Sequence, residues 1–200
     1  MTLSWSAIQL PFRYPFTISK GTKTHQPALI VRLEHRGLVG YGEAPAITYY
    51  DITVERMIAD LQQRLPMIER FAFTDPERFW HFLHHLIPAD PFLVCALDMA
   101  GWDLFGKMCR RPLLEYWDLD PSKAPWTDYT IGIDTEERMV EKMKAFPWPI
   151  YKIKVGTPRD LEVLKALRRH TDAVFRVDAN AGWSLEEALE VAKELGRANP

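Results

Sequence analysis

Tyr151–Lys152–Ile153–Lys154–Val155 and, one repeat later, Arg176–Val177–Asp178–Ala179–Asn180 are the stretches on which the fold turns. Both read as strands. A strand of a parallel sheet covered on both faces should be a continuous apolar run, yet these two carry polar groups at every second position. Side chains two apart on a strand share a face, so Lys152 and Lys154 project together, as do Arg176, Asp178 and Asn180. Burying unpaired charge is costly, so a one-sided cluster of this kind points to chemistry. The plain alternative is that the lysines are edge residues in water and the aspartate caps a helix.

Working outward, the flanking chain repeats a β-α unit. Tyr129 to Ile133 reads as a strand and Glu136 to Phe146 as a helix. Ile150 to Val155 is the next strand, and Pro158 to Arg169 the next helix, opened by Thr157 with Asp160 in capping-box position. Ala173 to Ala179 is a third strand. A helix from Leu185 to about Ala198 follows, with Ser184 and Glu187 as a capping box, and Gly196 to Pro200 reads as its stop signal. Strands recurring at roughly 22 to 24 residues are the mark of consecutive β-α units, which right-handed crossovers set side by side in parallel. The shared polar residues then sit near the carboxyl ends of adjacent strands, where barrel enzymes carry their chemistry. Three strands cannot close a barrel, which takes eight strands and roughly 200 residues of its own; either they form an unusual small open sheet or, the favoured expectation, a longer protein continues beyond Pro200.

The first 110 residues or so follow a different grammar, that of an α+β domain with a small antiparallel sheet. Leu3 to Leu10 alternates until Pro11–Phe12–Arg13–Tyr14–Pro15 breaks it, and Phe16 to Gly21 begins a polar loop. Ala28 to Leu33 and Leu38 to Tyr41 form a hairpin through Glu34–His35–Arg36–Gly37. Helices are predicted over Thr53 to Phe71, ended or kinked by Pro66, over Pro76 to Ile87, and over Pro91 to about Lys107, the last with Asp90 as N-cap.

Composition narrows the function. The 200 residues are 47% hydrophobic and 26% charged, with 25 Lys+Arg against 27 Asp+Glu, so a core can be buried and disorder is excluded. A near-neutral balance argues against nucleic-acid binding. No apolar run is long enough to span a bilayer, and the first residues lack the pattern of a signal peptide. Two cysteines, Cys95 and Cys109, make no disulfide framework. A soluble cytoplasmic protein that acts on a small molecule is expected.

The polar strand residues suggest what it does. A lysine held beside a second cation in a dry site can serve as a general base near neutral pH. An aspartate on the next strand is a hard oxygen ligand suited to Mg²⁺. Base and metal together can remove a proton next to a carboxylate.

These residues resemble the muconate-lactonizing subgroup of the enolase superfamily. Lys152–Ile153–Lys154 is similar to that family's Lys-x-Lys, and Asp178–Ala179–Asn180 to its Asp-x-Asn. Ala96–Leu97–Asp98–Met99–Ala100–Gly101–Trp102–Asp103–Leu104 resembles the helix leading from cap to barrel, and Gly40–Tyr41–Gly42–Glu43–Ala44 the segment before a specificity loop. The resemblance implies an α+β capping domain over residues 1–125, followed over 126–200 by the first three β/α units of a modified (β/α)₈ TIM barrel. Thr127–Asp128–Tyr129–Thr130 and Asp178 to Trp183 look most like the dipeptide epimerases, Mg²⁺-dependent isomerases that invert the α-carbon of dipeptides such as L-Ala-L-Glu. It implies Lys154 as one of two opposed bases, Lys152 as its neighbouring cation and carboxylate clamp, and Asp178 as a metal ligand. Thr130 and Asn180 would lie at the substrate, with loops around Phe16 to Gly21 and Ala44 to Thr53 closing over it. The family's remaining metal ligands, opposing lysine and ammonium-binding Asp-x-Asp would fall beyond Pro200, so residues 1–200 alone are expected to be inactive. A homo-oligomer is compatible with the resemblance. The alternatives on the same scaffold are o-succinylbenzoate synthase, a muconate-type cycloisomerase or an N-acylamino-acid racemase; of another class, a non-catalytic module whose charges are structural.

Other constellations carry less. His81 and His85 have i, i+4 spacing but no accompanying metalloenzyme motif. Asp98 and Asp103, five apart on a helix, do not share a face. Trp80, Trp102 and Trp117 are expected in packing, and Trp183 stands beside the polar strand.

Overall fold

The computed structural model describes residues 1–198. They form two compact units. One comprises Met1–Pro11 and His25–Ala124; the other comprises Phe12–Thr24 and Pro125 onward.

The first unit is built on a three-stranded sheet in the order β1-β2-β3, with β1 at Thr2–Ile18, β2 at Gly21–His35 and β3 at Leu38–Pro45; the hairpin end of β1 and β2, Phe12–Thr24, belongs to the second unit. β2 and β3 pair antiparallel from Ala28↔Pro45 to His35↔Leu38. Their turn holds Arg36 and Gly37 at φ of 52° and 77°, the left-handed pair that matches strand twist. β1 runs straight through Pro11 and Pro15, where the sequence predicts a break. The reason is position: β1 lies at a sheet edge, and proline is tolerated where the missing N–H would face away from the ladder.

Three helices cover the sheet: α1 (Val54–Arg70), α2 (Pro76–Leu86) and α3 (Pro91–Cys109). Their starts follow local chemistry. Thr53, Asp75 and Asp90 each accept a backbone N–H from the first turn, satisfying donors that a helix leaves unpaired. α1 continues past Pro66 to Arg70 rather than ending there. Leu29, Val31, Leu33, Met57, Leu61, Phe79, Leu83, Leu97 and Leu104 fill one core at zero exposure. β3 approaches α3 closely enough that a Cβ on Gly40 would lie 2.1 Å from the Ala100 carbonyl, and one on Gly42 1.8 Å from that of Ala96. Trp80 and Trp117, expected in packing, are exposed; each lies at a tilt against a neighbour, with ring centroids 3.8 Å from His84 and 4.8 Å from Trp102. A short helix, α4 (Leu113–Tyr116), has no counterpart in the sequence reading.

The second unit alternates β4 (Tyr129–Ile131), α5 (Glu136–Ala145), β5 (Ile150–Lys154), α6 (Asp160–Arg168), β6 (Val174–Asp178) and α7 (Leu185–Ala198). The strands are parallel in the order β4-β5-β6. Ile131, Met139, Tyr151, Ile153, Leu164 and Leu167 form its core. Ser184 and Glu187 make the reciprocal capping box, at 2.7 and 3.2 Å. α6 starts at Asp160 and not at Pro158, because Asp160 turns its carboxylate back onto the preceding loop. The stop signal expected at Gly196 to Pro200 extends into Asn199 and Pro200, which lie outside the described residues. Among the described residues no helix is long and apolar enough to cross a membrane.

Candidate active site

The parallel register sets the site. Thr130 on β4 stands opposite Lys152 on β5, Lys152 opposite Arg176 on β6, and Lys154 opposite Asp178. Alternation then puts all five side chains on one face of the sheet, with Lys154 and Asp178 each the last residue of its strand.

The lysines meet on one oxygen. Lys154 Nζ lies 2.7 Å and Lys152 Nζ 2.8 Å from Asp178 Oδ2. Lys154 also donates to Asn180 Oδ1 at 3.0 Å, and Asn180 N–H donates to Asp178 Oδ1 at 2.9 Å. Asn180 reaches this position because its backbone is left-handed, at φ 50°, a conformation asparagine tolerates well. The hydrogen bond from Lys152, then that from Lys154, holds the Asp178 carboxyl well below the usual carboxylate range despite some burial. The Lys154 side chain is only 9% exposed and that of Lys152 is 37% exposed, so the inner lysine is not an edge residue in water. Thr130 is exposed and makes no hydrogen bond within this cluster. Lys154 borders a cleft of about 690 Å³ that opens between the loops after β4 and β5.

Neighbouring groups fix the surroundings. Arg176, lower on the same face, is drawn off by Asp128, with Nη1 2.7 Å from Oδ1. Asp160, 6% exposed, accepts from Gly156 N–H at 2.9 Å, from Thr157 N–H at 2.9 Å and from the Thr157 hydroxyl at 2.8 Å. Trp183 Nε1 donates to it at 2.8 Å, tying the loop after β5 to the loop after β6. Sequence reasoning missed this role of Asp160, since an acidic residue opening a helix reads simply as a cap. Asp128 gave only the signal of its place beside Thr127.

Asp178 is the kind of hard oxygen donor that Mg²⁺ takes. Among the described residues no three or more of His, Cys, Asp and Glu converge as a metal cage, so the residues present fit Mg²⁺ as one carboxylate ligand. His85 Nδ1 sits 2.7 Å from the His81 carbonyl in a local helix contact. Asp103 Oδ2 accepts from Tyr41 N–H at 2.9 Å and from Lys107 at 2.8 Å. Neither pair forms a site.

Comparison with known proteins agrees with this geometry. Residues 2–116 match the model of the mandelate racemase/muconate lactonizing enzyme N-terminal domain, and residues 134–200 match an enolase C-terminal domain-like model. The chain is 44% identical over 195 residues to an L-Ala-D/L-amino acid epimerase of Flavobacterium johnsoniae, covering 98% of this chain and 58% of that protein. It is 34% identical over 188 residues to an L-Ala-D/L-Glu epimerase of Bacteroides thetaiotaomicron, covering 92% of this chain and 48% of that one. The structure superposes with a TM-score of 0.88, at 26% identity, on a dipeptide epimerase from Cytophaga hutchinsonii complexed with Mg and D-Ala-L-Val; this covers 98% of this chain and 56% of that one. The chain thus spans about half to three-fifths of the length of these relatives. Its fold is a capping domain followed by the start of the barrel, and the chain belongs to the mandelate racemase/muconate lactonizing enzyme family of the enolase superfamily.

Proposed function

We propose that this protein is a Mg²⁺-dependent epimerase that exchanges the proton on the α-carbon next to a carboxylate, with dipeptides of the L-Ala-L-Glu type as substrates. One observation carries the reading. Lys154 is nearly buried at a strand end, with Nζ held between Asp178 Oδ2 and Asn180 Oδ1, in a chain whose relatives are named L-Ala-D/L-amino acid epimerase and L-Ala-D/L-Glu epimerase.

Each residue then has a task. Lys154 Nζ, as the neutral amine, takes the α-proton and becomes the ammonium that Asp178 Oδ2 and Asn180 Oδ1 hold and aim, since a general base works only within hydrogen-bond reach of the proton it removes. Lys152, the more open of the two lysines, steadies the substrate carboxylate. Asp178 is one ligand of Mg²⁺, which when bound supplies positive charge where negative charge gathers on the carboxylate oxygens. Thr130, exposed on the neighbouring strand, and Asn180 contact the substrate. Inversion, as opposed to simple exchange, takes a second acid on the far side of the α-carbon.

The test is incubation of the protein from its complete reading frame with Mg²⁺ and a dipeptide panel in D₂O, read by mass spectrometry. The expected result is deuterium at one α-carbon, lost on adding EDTA and reduced by roughly a hundredfold or more in Lys154→Ala while the circular dichroism spectrum stays unchanged. No exchange on any dipeptide would overturn the reading. Exchange confined to N-acylamino acids, or lactonisation or dehydration of other carboxylates, would move the assignment to the rival reactions.

A further inference from the structure

The loops after the three parallel strands share a feature that the proposed chemistry does not use. Each contains a glycine, and the tip of the β1–β2 hairpin rests against all three. A Cβ on Gly132, just past β4, would lie 3.1 Å from Thr17 N and 3.2 Å from the Phe16 ring. A Cβ on Gly156, past β5, would lie 2.7 Å from Ser19 Cβ, and one on Gly182, past β6, 2.8 Å from the same atom. Real Cβ atoms essentially never come as close as those at Gly156 and Gly182 would, and the Gly132 contact would be tighter than most, so these glycines make the seat in which Thr17 and Ser19 sit.

Hydrogen bonds hold the tip there. Ile133 N–H donates to the Thr17 carbonyl at 2.9 Å. The Ser19 hydroxyl lies 2.8 Å from the Ala179 carbonyl and 3.4 Å from that of Asn180. Ala179 is the residue between Asp178 and Asn180, the two partners of Lys154. The turn it belongs to is unusual, since Asn180 and Ala181 are both left-handed at φ 50° and 57°; alanine pays for that conformation with its Cβ. Within the turn, Gly182 N–H donates to the Ala179 carbonyl at 2.9 Å. The same carbonyl therefore accepts both the turn's own closing bond and the serine hydroxyl.

We propose that Ser19 is a positioning residue, which pins the Asp178–Gly182 turn through the Ala179 carbonyl and thereby sets the carboxylate and carboxamide that aim Lys154. It acts through the turn and not by touching substrate. Only the kinetic half of its test rests on the epimerase reading.

The test compares Ser19→Ala with the unaltered protein by residue-resolved amide hydrogen exchange and by dipeptide kinetics. Losing one hydrogen bond predicts roughly three- to tenfold faster exchange at Asn180 and Gly182, with Ile153, buried in the central strand, unchanged. In kinetics, kcat falls by a similar factor while KM holds. Ser19→Val, which adds a branch against Gly156 and Gly182, gives the larger effect. Unchanged exchange at Asn180 and Gly182 would overturn the proposal. So would acceleration shared equally by Ile153, which marks general destabilisation, or a rise in KM alone. If the unaltered protein from its complete reading frame turns over no dipeptide, the epimerase reading fails and the exchange measurement still decides the role of Ser19.

Discussion

Two aspartates show how differently one residue type behaves when its surroundings change. Asp178 is partly buried but receives two lysines and a backbone N–H, so its charged form is favoured. Asp98 on α3 has its Oδ1 buried with no hydrogen-bond partner among the described residues, and burial pushes its carboxyl up, with His84 pulling only weakly the other way. A group whose pKa is raised on folding costs stability once the pH exceeds its unfolded value, because the folded state must give up a proton it holds more tightly. Asp98→Asn should therefore raise the urea midpoint at pH 7, by up to about 1 kcal/mol of stability. The gain should shrink as pH falls below about 4, the ordinary aspartate range. Urea unfolding at pH 7 and pH 3 checks this, and an asparagine variant less stable at pH 7 would show that Asp98 has a partner.

At the scale of elements, the glycines decide how closely chains can pass. β3 runs against α3 with Gly40 and Gly42 facing the helix backbone, and the helix answers with Ala96 and Ala100, both fully buried. Small residues on both sides allow the approach, and the surrounding leucines fill what remains. Gly42→Ala places a methyl 1.8 Å from a carbonyl oxygen that cannot swing aside, so strand and helix must separate. Overpacking of this kind should cost about 3 kcal/mol, read as a fall in the urea midpoint. Gly37→Ala, in open space but at φ 77°, meets only the strain of a left-handed alanine, about 1–2 kcal/mol, and is expected to cost less. Equal losses for the two would mean that the crossing is less tight than described.

Across the whole molecule, the charge chemistry differs between the two compact units. Asp178 and Asp134 both lie in the second unit and are both held low. For Asp134, burial opposes the shift, but hydrogen bonds from Lys142 and Thr135 outweigh it. A depressed pKa contributes stability that is present above the unfolded value and is lost as pH falls toward the folded one. In the first unit the carboxyl of Asp98 runs the other way, and Asp120, though also lowered by its hydrogen bonds from Ser122, stands exposed. Acid should therefore weaken the second unit first. Amide exchange followed from pH 6 to pH 3 should show protection lost earlier in residues 125–198 than in the core of α1 to α3; simultaneous loss would contradict this.

Local chemistry made much of this legible in the sequence. The capping residues Asp90 and Ser184, the Arg36–Gly37 turn and the β-α repeat all act over a few residues, so their outcome is written beside them. The alternation in Lys152–Ile153–Lys154 and Arg176–Val177–Asp178 likewise put the right side chains on a common face, because a strand has period two whatever surrounds it. Pro11 and Pro15 misled for the opposite reason: whether a proline breaks a strand depends on which edge lacks a neighbour, and that is settled only when the sheet assembles. The convergence of two ammonium groups on one oxygen of Asp178, the Asp160–Trp183 bond between loops and the seating of Ser19 some 160 residues from Ala179 depend on register and packing between distant segments. A chain's local preferences contain no record of such distances, so only the tertiary structure decided them.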